Sequence, residues 1–260
     1  MNEKIKSAAE RLLNAEANHT VCEPIRDLIG IEDLDSAYAI QELISNRKIE
    51  QGARIVGRKI GLTSHAIQTQ LGVNQPDFGA LWADREIENG GFISVKEMMQ
   101  PKAETEVAFV FGKDLTNKKL STIDIINAID YALISIEIVG SRIKDWNIKI
   151  TDTIADNASA SHWVVGHNPV LLSKVNLLNC KMQMTKNGEL VSEGVGKNCL
   201  GSPINATRWL ANKMADIGQP LKRGDLILSG ALGPMVNVVA GDIIAATIEG
   251  LGSVSLSFTE

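Results

Sequence analysis

Lys102-Ala-Glu-Thr-Glu-Val-Ala-Phe-Val-Phe111 alternates in character from one residue to the next. A period of two sets Glu104, Glu106, Ala108 and Val110 on one face of a strand, and Thr105, Val107, Phe109 and Phe111 on the other. Further along, Leu133-Ile-Ser-Ile-Glu-Ile-Val139 reads as a second strand, rich in β-branched residues and with a single carboxylate, Glu137, in its middle. An interior strand buries a bare carboxylate only at a cost of several kcal/mol, unless a partner or a cation compensates. The three glutamates therefore have two readings. They converge on one hard cation, for which all-oxygen ligation favours Mg2+ or Mn2+ over zinc, or each pairs with Lys or Arg on a solvated face. Spacing alone leaves both open.

Composition narrows the classes. A chain of 260 residues, 44% hydrophobic with net charge -5, can bury a substantial core. Aromatics are sparse and basic residues dispersed, which argues against nucleic-acid binding. No apolar run approaches the ~20 residues that span a bilayer. The first ten residues lack a signal-peptide core, so a cytoplasmic protein is expected. Cys22, Cys180 and Cys199 are widely separated and fit neither a disulfide framework nor a zinc site; they read as packing residues.

Helical spacing predicts helices over residues 3–17 and 36–51, the second capped by Asp35 and stopped by Gly52. Arg54 to Leu62 reads as a strand, and Thr63 or Ser64 as the cap of a short helix ending near Leu71-Gly72. Gln75-Pro-Asp-Phe-Gly79 has loop chemistry. A helix is expected from Ser121 to Ala132, and a polar loop with a helical turn from Thr151 to Ser161. Lys181 to Val191 is a hairpin about Asn187-Gly188, and Ser202-Pro203 opens another helix. Short strands follow at 225–229, 236–239, 243–249 and 253–258. The whole reads as α+β, with a helical subregion (residues 1–52) and a β-rich domain (residues 53–260).

Several motifs occur in a fixed order: Val56-Gly-Arg-Lys-Ile-Gly-Leu-Thr63, Leu71-Gly-Val-Asn-Gln-Pro-Asp-Phe-Gly79 and the Glu-x-Glu strand. Glu137-Ile-Val-Gly-Ser-Arg-Ile143, Asp152-Thr-Ile-Ala-Asp-Asn-Ala-Ser159 and Leu228-Ser-Gly-Ala-Leu-Gly-Pro-Met235 follow. Together they resemble the 2-hydroxypenta-2,4-dienoate hydratases, which sit with the 4-oxalocrotonate decarboxylases in the fumarylacetoacetase-like superfamily. The resemblance runs from about residue 25 to 258. It implies a mixed β-sandwich roll, a divalent cation on Glu104, Glu106 and Glu137, and a hydro-lyase of aromatic meta-cleavage catabolism.

It further implies that Lys59 is the active-site lysine, against the alternative of a lysine snorkelling from an edge strand. Burial in an apolar strand is expected to lower its pKa. Asp77 resembles the family's active-site acid; its alternative is an Asx-turn residue. Leu62, Ser159, Ser161, Gly230 and Leu232 are implied substrate contacts, with turn-filling an equal reading for the two serines. Gly230 to Gly233 offers backbone N–H groups to an anion, or is a plain turn. Asp156 and Arg142 are expected as a supporting ion pair, and His19, His65, His162 and His167 carry no metal spacing. A homo-oligomer is expected, and the downstream aldolase is a possible partner. The rival readings are a 4-oxalocrotonate (2-oxo-3-hexenedioate) decarboxylase and a non-catalytic subunit of a catabolic complex.

Overall fold

The computed structural model describes residues 2–64, 68–69 and 73–260. Helices α1 (Glu3–Ala17), α2 (Arg26–Ile29) and α3 (Leu34–Glu50) precede strands β1 (Ile55–Gly61), β2 (Asp77–Trp82), β3 (Phe92–Ser94) and β4 (Lys102–Phe111). Helix α4 (Thr122–Ala128) leads into β5 (Ile129–Val139), and α5 (Ile150–Ala155) precedes β6 (Ala160–Val165). Then come β7 (Lys181–Lys186), β8 (Glu189–Val195), α6 (Pro203–Asp216), β9 (Leu226–Ala231), β10 (Val236–Asn237), β11 (Ile243–Ile248) and β12 (Gly252–Thr259). One sheet runs β2-β1-β9-β4-β5-β6, with β10 attached to β4; the other runs β3-β12-β11-β7-β8. Both are mixed, because β1 pairs with β9 and β12 with β3 in parallel.

The alternation in β4 settles which face is which. Ala103, Val107, Phe109 and Phe111 enter the main core, joined there by Ile134, Ile136 and Ile138 of β5 and by Met182, Ile244, Val254 and Phe258 of the second sheet. Each such large side chain stabilises by ~1.5–3 kcal/mol on burial, so a one-residue slip of β4 is prohibitive. The opposite face carries the glutamates and a smaller apolar cluster of Leu81, Ala108, Leu133, Trp163, Leu226 and Leu228. This face is concave: edge strands β2 and β6 approach each other, and Trp163 Nε1 donates to the Trp82 carbonyl at 3.1 Å.

Helices α1 and α3 pack with Ile143, Ile150 and Ile154 in a third cluster. The buried Gln41 of α3 donates to the carbonyls of Phe78 (2.9 Å) and Ile154 (2.8 Å), and Tyr38 stacks on Phe78 with centroids 4.6 Å apart. The helical subregion thus braces β2 and α5 together. Among the described residues, no helix is long and apolar enough to cross a membrane.

Local expectations differ from the structure in four places. Helix α3 starts earlier than expected, with Asp33 rather than Asp35 as N-cap, its carboxylate accepting from Ser36 N at 3.0 Å. Helix α4 ends at Ala128, because Ile129, Tyr131 and Ala132 extend the ladder opposite Phe111, Val110 and Phe109. Asp77-Phe-Gly79 is strand rather than loop, paired with Lys59-Ile-Gly61. Thr151–Ala155 is a wholly buried helix rather than a polar loop, since Asp152 is neutralised by an ion pair with Arg26. The expected helix near 63–72 lies largely outside the described residues.

Candidate active site

Register brings the three glutamates together. Glu104 stands directly opposite Glu137 in the β4–β5 pair, and Glu106, opposite Ser135, is the next residue on the same face. Glu106 and Glu137 are fully buried and Glu104 half-buried. From β1, two strands away, the buried Lys59 extends to the same point. Its Nζ lies 3.2 Å from Glu137 Oε1, in ion-pair range but out of hydrogen-bond alignment, and donates to the Ala158 carbonyl at 3.0 Å. Neither Glu137 oxygen has a hydrogen-bond partner among the described residues. Asp77 on β2 is buried as well; Thr153 donates to its Oδ2 at 3.3 Å, and Oδ1 is unpartnered. Thr153 also meets the Ser159 hydroxyl at 3.3 Å, which links Asp77 to Ser159.

The electrostatics are those of an excess of carboxylates. Burial pushes the Glu106 and Glu137 carboxyls up, and their acidic neighbours add to it. Burial raises Asp77 too, opposed by Lys59. For Lys59 the outcome reverses the expectation from sequence. Burial does push its ammonium down, but Glu137, Glu104, Asp77 and Glu106 outweigh it and hold the pKa above the ordinary lysine value. Glu104 is pushed up to about 7, by burial first, with Lys59 opposing and Glu137 adding. A carboxyl raised in the fold keeps a proton that the unfolded chain has released, so its contribution is lost as pH rises through the folded value. The melting temperature of the metal-free protein is therefore expected to fall from about pH 4.5 to about pH 7. Saturating Mg2+ should flatten that slope; an unchanged slope in thermal scans would show that the carboxylates do not share a cation.

No three His, Cys, Asp or Glu side chains among the described residues stand already closed around a common ligand point. The donor set nevertheless fits a hard dication: three carboxylates on one concave face, with neither Glu137 oxygen held by a hydrogen bond among the described residues, and one ammonium beside them. The solvated face of the alternative is not what the structure has, because Glu106 and Glu137 are buried, although Glu137 does have Lys59 as an ion-pair partner. All-oxygen ligation of this kind suits Mg2+ or Mn2+.

Two glycines make room for these groups. A Cβ on Gly61 would sit 2.2 Å from Asp77 Oδ1, so only glycine admits the carboxyl there. Gly230, at φ +110, donates its N–H to Glu106 Oε2 at 2.6 Å, and a Cβ there would meet Thr63 Oγ1 at 2.2 Å. Cys199 holds the same segment, its thiol donating to the Ser229 carbonyl at 3.0 Å; burial, then Glu106, pushes that thiol up to about 12 and keeps it protonated. Gly230→Ala is expected to cost about 1–3 kcal/mol, as strained backbone does, and to release Glu106. Denaturant titration with and without Mg2+ checks both; an unchanged midpoint would mean that the contact with Thr63 is not tight.

Lys59, Asp77, the glutamates, Ser159 and the Gly230 N–H are brought together, but the remaining expected residues are not. Leu232 is fully buried in the core between the sheets, its N–H donating to the Thr105 carbonyl at 3.0 Å. Leu62, at φ 58, packs against the cluster beneath the N-terminal helices. Ser161 lines a separate cavity of about 140 Å3, shared with Glu16, Lys48, Arg85, Arg142 and Asp156, to which no glutamate of the trio contributes. There its hydroxyl meets His162 Nδ1 at 2.9 Å, and burial, then Arg85, pushes that imidazole down to about 4, leaving it neutral. Asp156 and Arg142 do form the buried ion pair, reinforced by the Arg142 N–H at 2.9 Å. Thr153, Asn157 and Ala158 carry no sequence signal of their own beyond membership of the motif Asp152-Thr-Ile-Ala-Asp-Asn-Ala-Ser159, and Cys199 reads from sequence as a packing residue.

The chain matches the model of the fumarylacetoacetate (FAA) hydrolase C-terminal family over residues 54–258. It belongs to that family. It is 50% identical over 253 residues to a 2-keto-4-pentenoate hydratase of Dechloromonas aromatica, covering 97% of this chain and 96% of the relative. With the TodF product hydratase of Pseudomonas putida it shares 49% identity over 98% of this chain and 96% of the relative. Among solved structures, a 4-oxalocrotonate decarboxylase from Pseudomonas putida G7, complexed with magnesium and adipate, superposes with a TM-score of 0.95 at 33% identity, covering 99% and 98% of the two chains. Within the family the chain is an enzyme of the hydratase branch, a hydro-lyase with the FAA hydrolase fold.

Proposed function

We propose that this enzyme adds water to 2-hydroxypenta-2,4-dienoate, giving 4-hydroxy-2-oxopentanoate, in aromatic meta-cleavage catabolism. The observation that carries the reading is the meeting of Glu104, Glu106 and Glu137 with Lys59 and Asp77, in a chain half identical to hydratases along nearly its full length. The three glutamates would hold Mg2+ or Mn2+. When bound, that ion supplies Lewis-acid stabilisation of negative charge developing on the substrate's C2 oxygen.

The remaining chemistry falls to side chains. Lys59, kept an ammonium by its carboxylate neighbours, anchors the anionic end of the substrate and gives up a proton as the dienol ketonises. In that step Lys59 gives a proton to C5, the C2 hydroxyl proton returns to the Lys59 amine, and the double bond moves to C3–C4. Water then attacks C4, and C3 takes a proton. Asp77 is suited to that addition: its Oδ1 is free, and Thr153 fixes Oδ2, so the unpartnered oxygen can orient water and accept its proton. Ser159, tied to Thr153, lies where a substrate oxygen can be bonded. The product is a β-hydroxy ketone, the substrate type of a retro-aldol step, so the proposal includes an aldolase as consumer. It also includes a homo-oligomer working in the cytoplasm.

The decarboxylase reading draws on the TM-score of 0.95. One assay separates the two: dienol absorbance is expected to disappear without release of CO2, and the six-carbon dicarboxylate should lose little CO2. Rapid CO2 release with no hydration of the five-carbon dienol would replace the hydratase by the decarboxylase.

A further inference from the structure

Asn157, Ala158 and Ser159 are three consecutive non-glycine residues in the left-handed region, at φ 56, 50 and 58. L-residues visit that region singly, asparagine more readily than most, and almost never in a run. Such strain persists only where surrounding bonds over-determine it. Here the bonds are explicit. The Asn157 carboxamide pairs with both backbone groups of Ala80 on β2: Oδ1 accepts from Ala80 N at 2.7 Å, and Nδ2 donates to the Ala80 carbonyl at 3.0 Å. A single side chain thereby imitates a strand partner for β2. On one side of the turn Asp156 is locked by Arg142, and on the other the Ser159 carbonyl accepts from Gly140 N at 2.8 Å.

What the turn delivers is chemical. Its middle residue presents the carbonyl that Lys59 Nζ bonds at 3.0 Å, and its last presents the hydroxyl that meets Thr153, itself bonded to Asp77. An ordinary right-handed turn would point both groups elsewhere. We propose that Asn157 is a positioning residue, whose two bonds to Ala80 hold the left-handed turn so that the Ala158 carbonyl orients the Lys59 ammonium and the Ser159 hydroxyl steadies the Thr153–Asp77 pair. The inference rests on the reading of Lys59 and Asp77 as the reacting groups. Asn157 touches neither, so its effect is on their placement.

Three variants test it. Asn157→Gly accepts the left-handed conformation but has no clamp; Asn157→Asp keeps that tolerance and the bond from Ala80 N, yet sets a carboxylate against the Ala80 carbonyl; Asn157→Ala lacks both features. With 2-hydroxypenta-2,4-dienoate and Mg2+, kcat is expected to fall at least about tenfold in the glycine variant and further in alanine, with partial recovery in aspartate. KM should rise by a smaller factor than kcat falls, because the Lys59 charge still attracts the anionic substrate from a displaced position while proton-transfer geometry is lost. Independently of turnover, reductive methylation of Lys59, followed by mass spectrometry, should run several-fold faster in Asn157→Gly than in the parent. A folded Asn157→Gly with kcat within twofold of the parent and unchanged labelling overturns the proposal. Should that variant not fold, parent-like kcat and labelling in Asn157→Asp overturn it equally. A parent protein that does not hydrate the dienol sinks the hydratase reading instead, and the labelling then decides the positioning role by itself.

Discussion

With divalent cations removed by excess chelator, turnover of 2-hydroxypenta-2,4-dienoate is expected to fall at least about a hundredfold and to return with Mg2+ or Mn2+. A Lewis acid at a developing enolate is worth several kcal/mol, and about 2.7 kcal/mol already accounts for a hundredfold. Glu106→Gln should reproduce the loss with metal present. The same substitution has a second, opposite signature. Gln keeps an acceptor for the Gly230 N–H but removes one of three crowded carboxylates, so the metal-free variant should melt higher than the metal-free parent. It should also lose most of the rise in melting temperature that Mg2+ gives the parent, since a ligand stabilises only the state that binds it. Full activity in excess chelator would end the metal reading.

Lys59→Ala is the second large effect. Loss of a proton-transferring group typically costs 10^2–10^4 in rate, and a fall of that order in kcat is expected here. Removing the ammonium also leaves Glu137 buried without its cation, a type of change that costs ~3–5 kcal/mol. Without metal the variant should therefore be markedly less stable, and with saturating Mg2+ much of that deficit should vanish, because the dication replaces the missing positive charge. Lys59→Arg should not rescue activity: Nζ already lies 3.2 Å from Glu137 Oε1 and 3.0 Å from the Ala158 carbonyl, and the larger, planar guanidinium cannot occupy that point without displacing one of them. Steady-state kinetics beside thermal melts, each with and without Mg2+, checks both. An alanine variant with parent kcat would remove Lys59 from the chemistry.

The glutamates were legible because strand alternation is a local signal. Phe109 and Phe111 demand the core, and Glu104 and Glu106 then have no choice of face. Ser202-Pro203 and Asn187-Gly188 were legible for the same reason, each being a cap or turn decided within a few residues. Where neighbours distant in sequence take part, the reading failed. Asp77 looked like a loop residue because Pro and Gly flank it, yet pairing with β1 makes it strand. Ser159 and Ser161 looked equivalent, and only the turn between α5 and β6 sends one toward Asp77 and the other into a separate cavity.

By itself, then, the sequence determined most of the strands and their buried faces, the resemblance to the hydro-lyase family and the shared face of Glu104 and Glu106, because period, capping and ordered motifs are written in adjacent residues. Tertiary structure alone decided that the glutamate face is concave, that Lys59 stays a cation, and that Asn157 clamps a left-handed turn onto Ala80. Each of these depends on charges or backbone groups brought within about 3 Å from different strands. Coulombic and hydrogen-bond energies at that distance override what burial or local propensity would dictate.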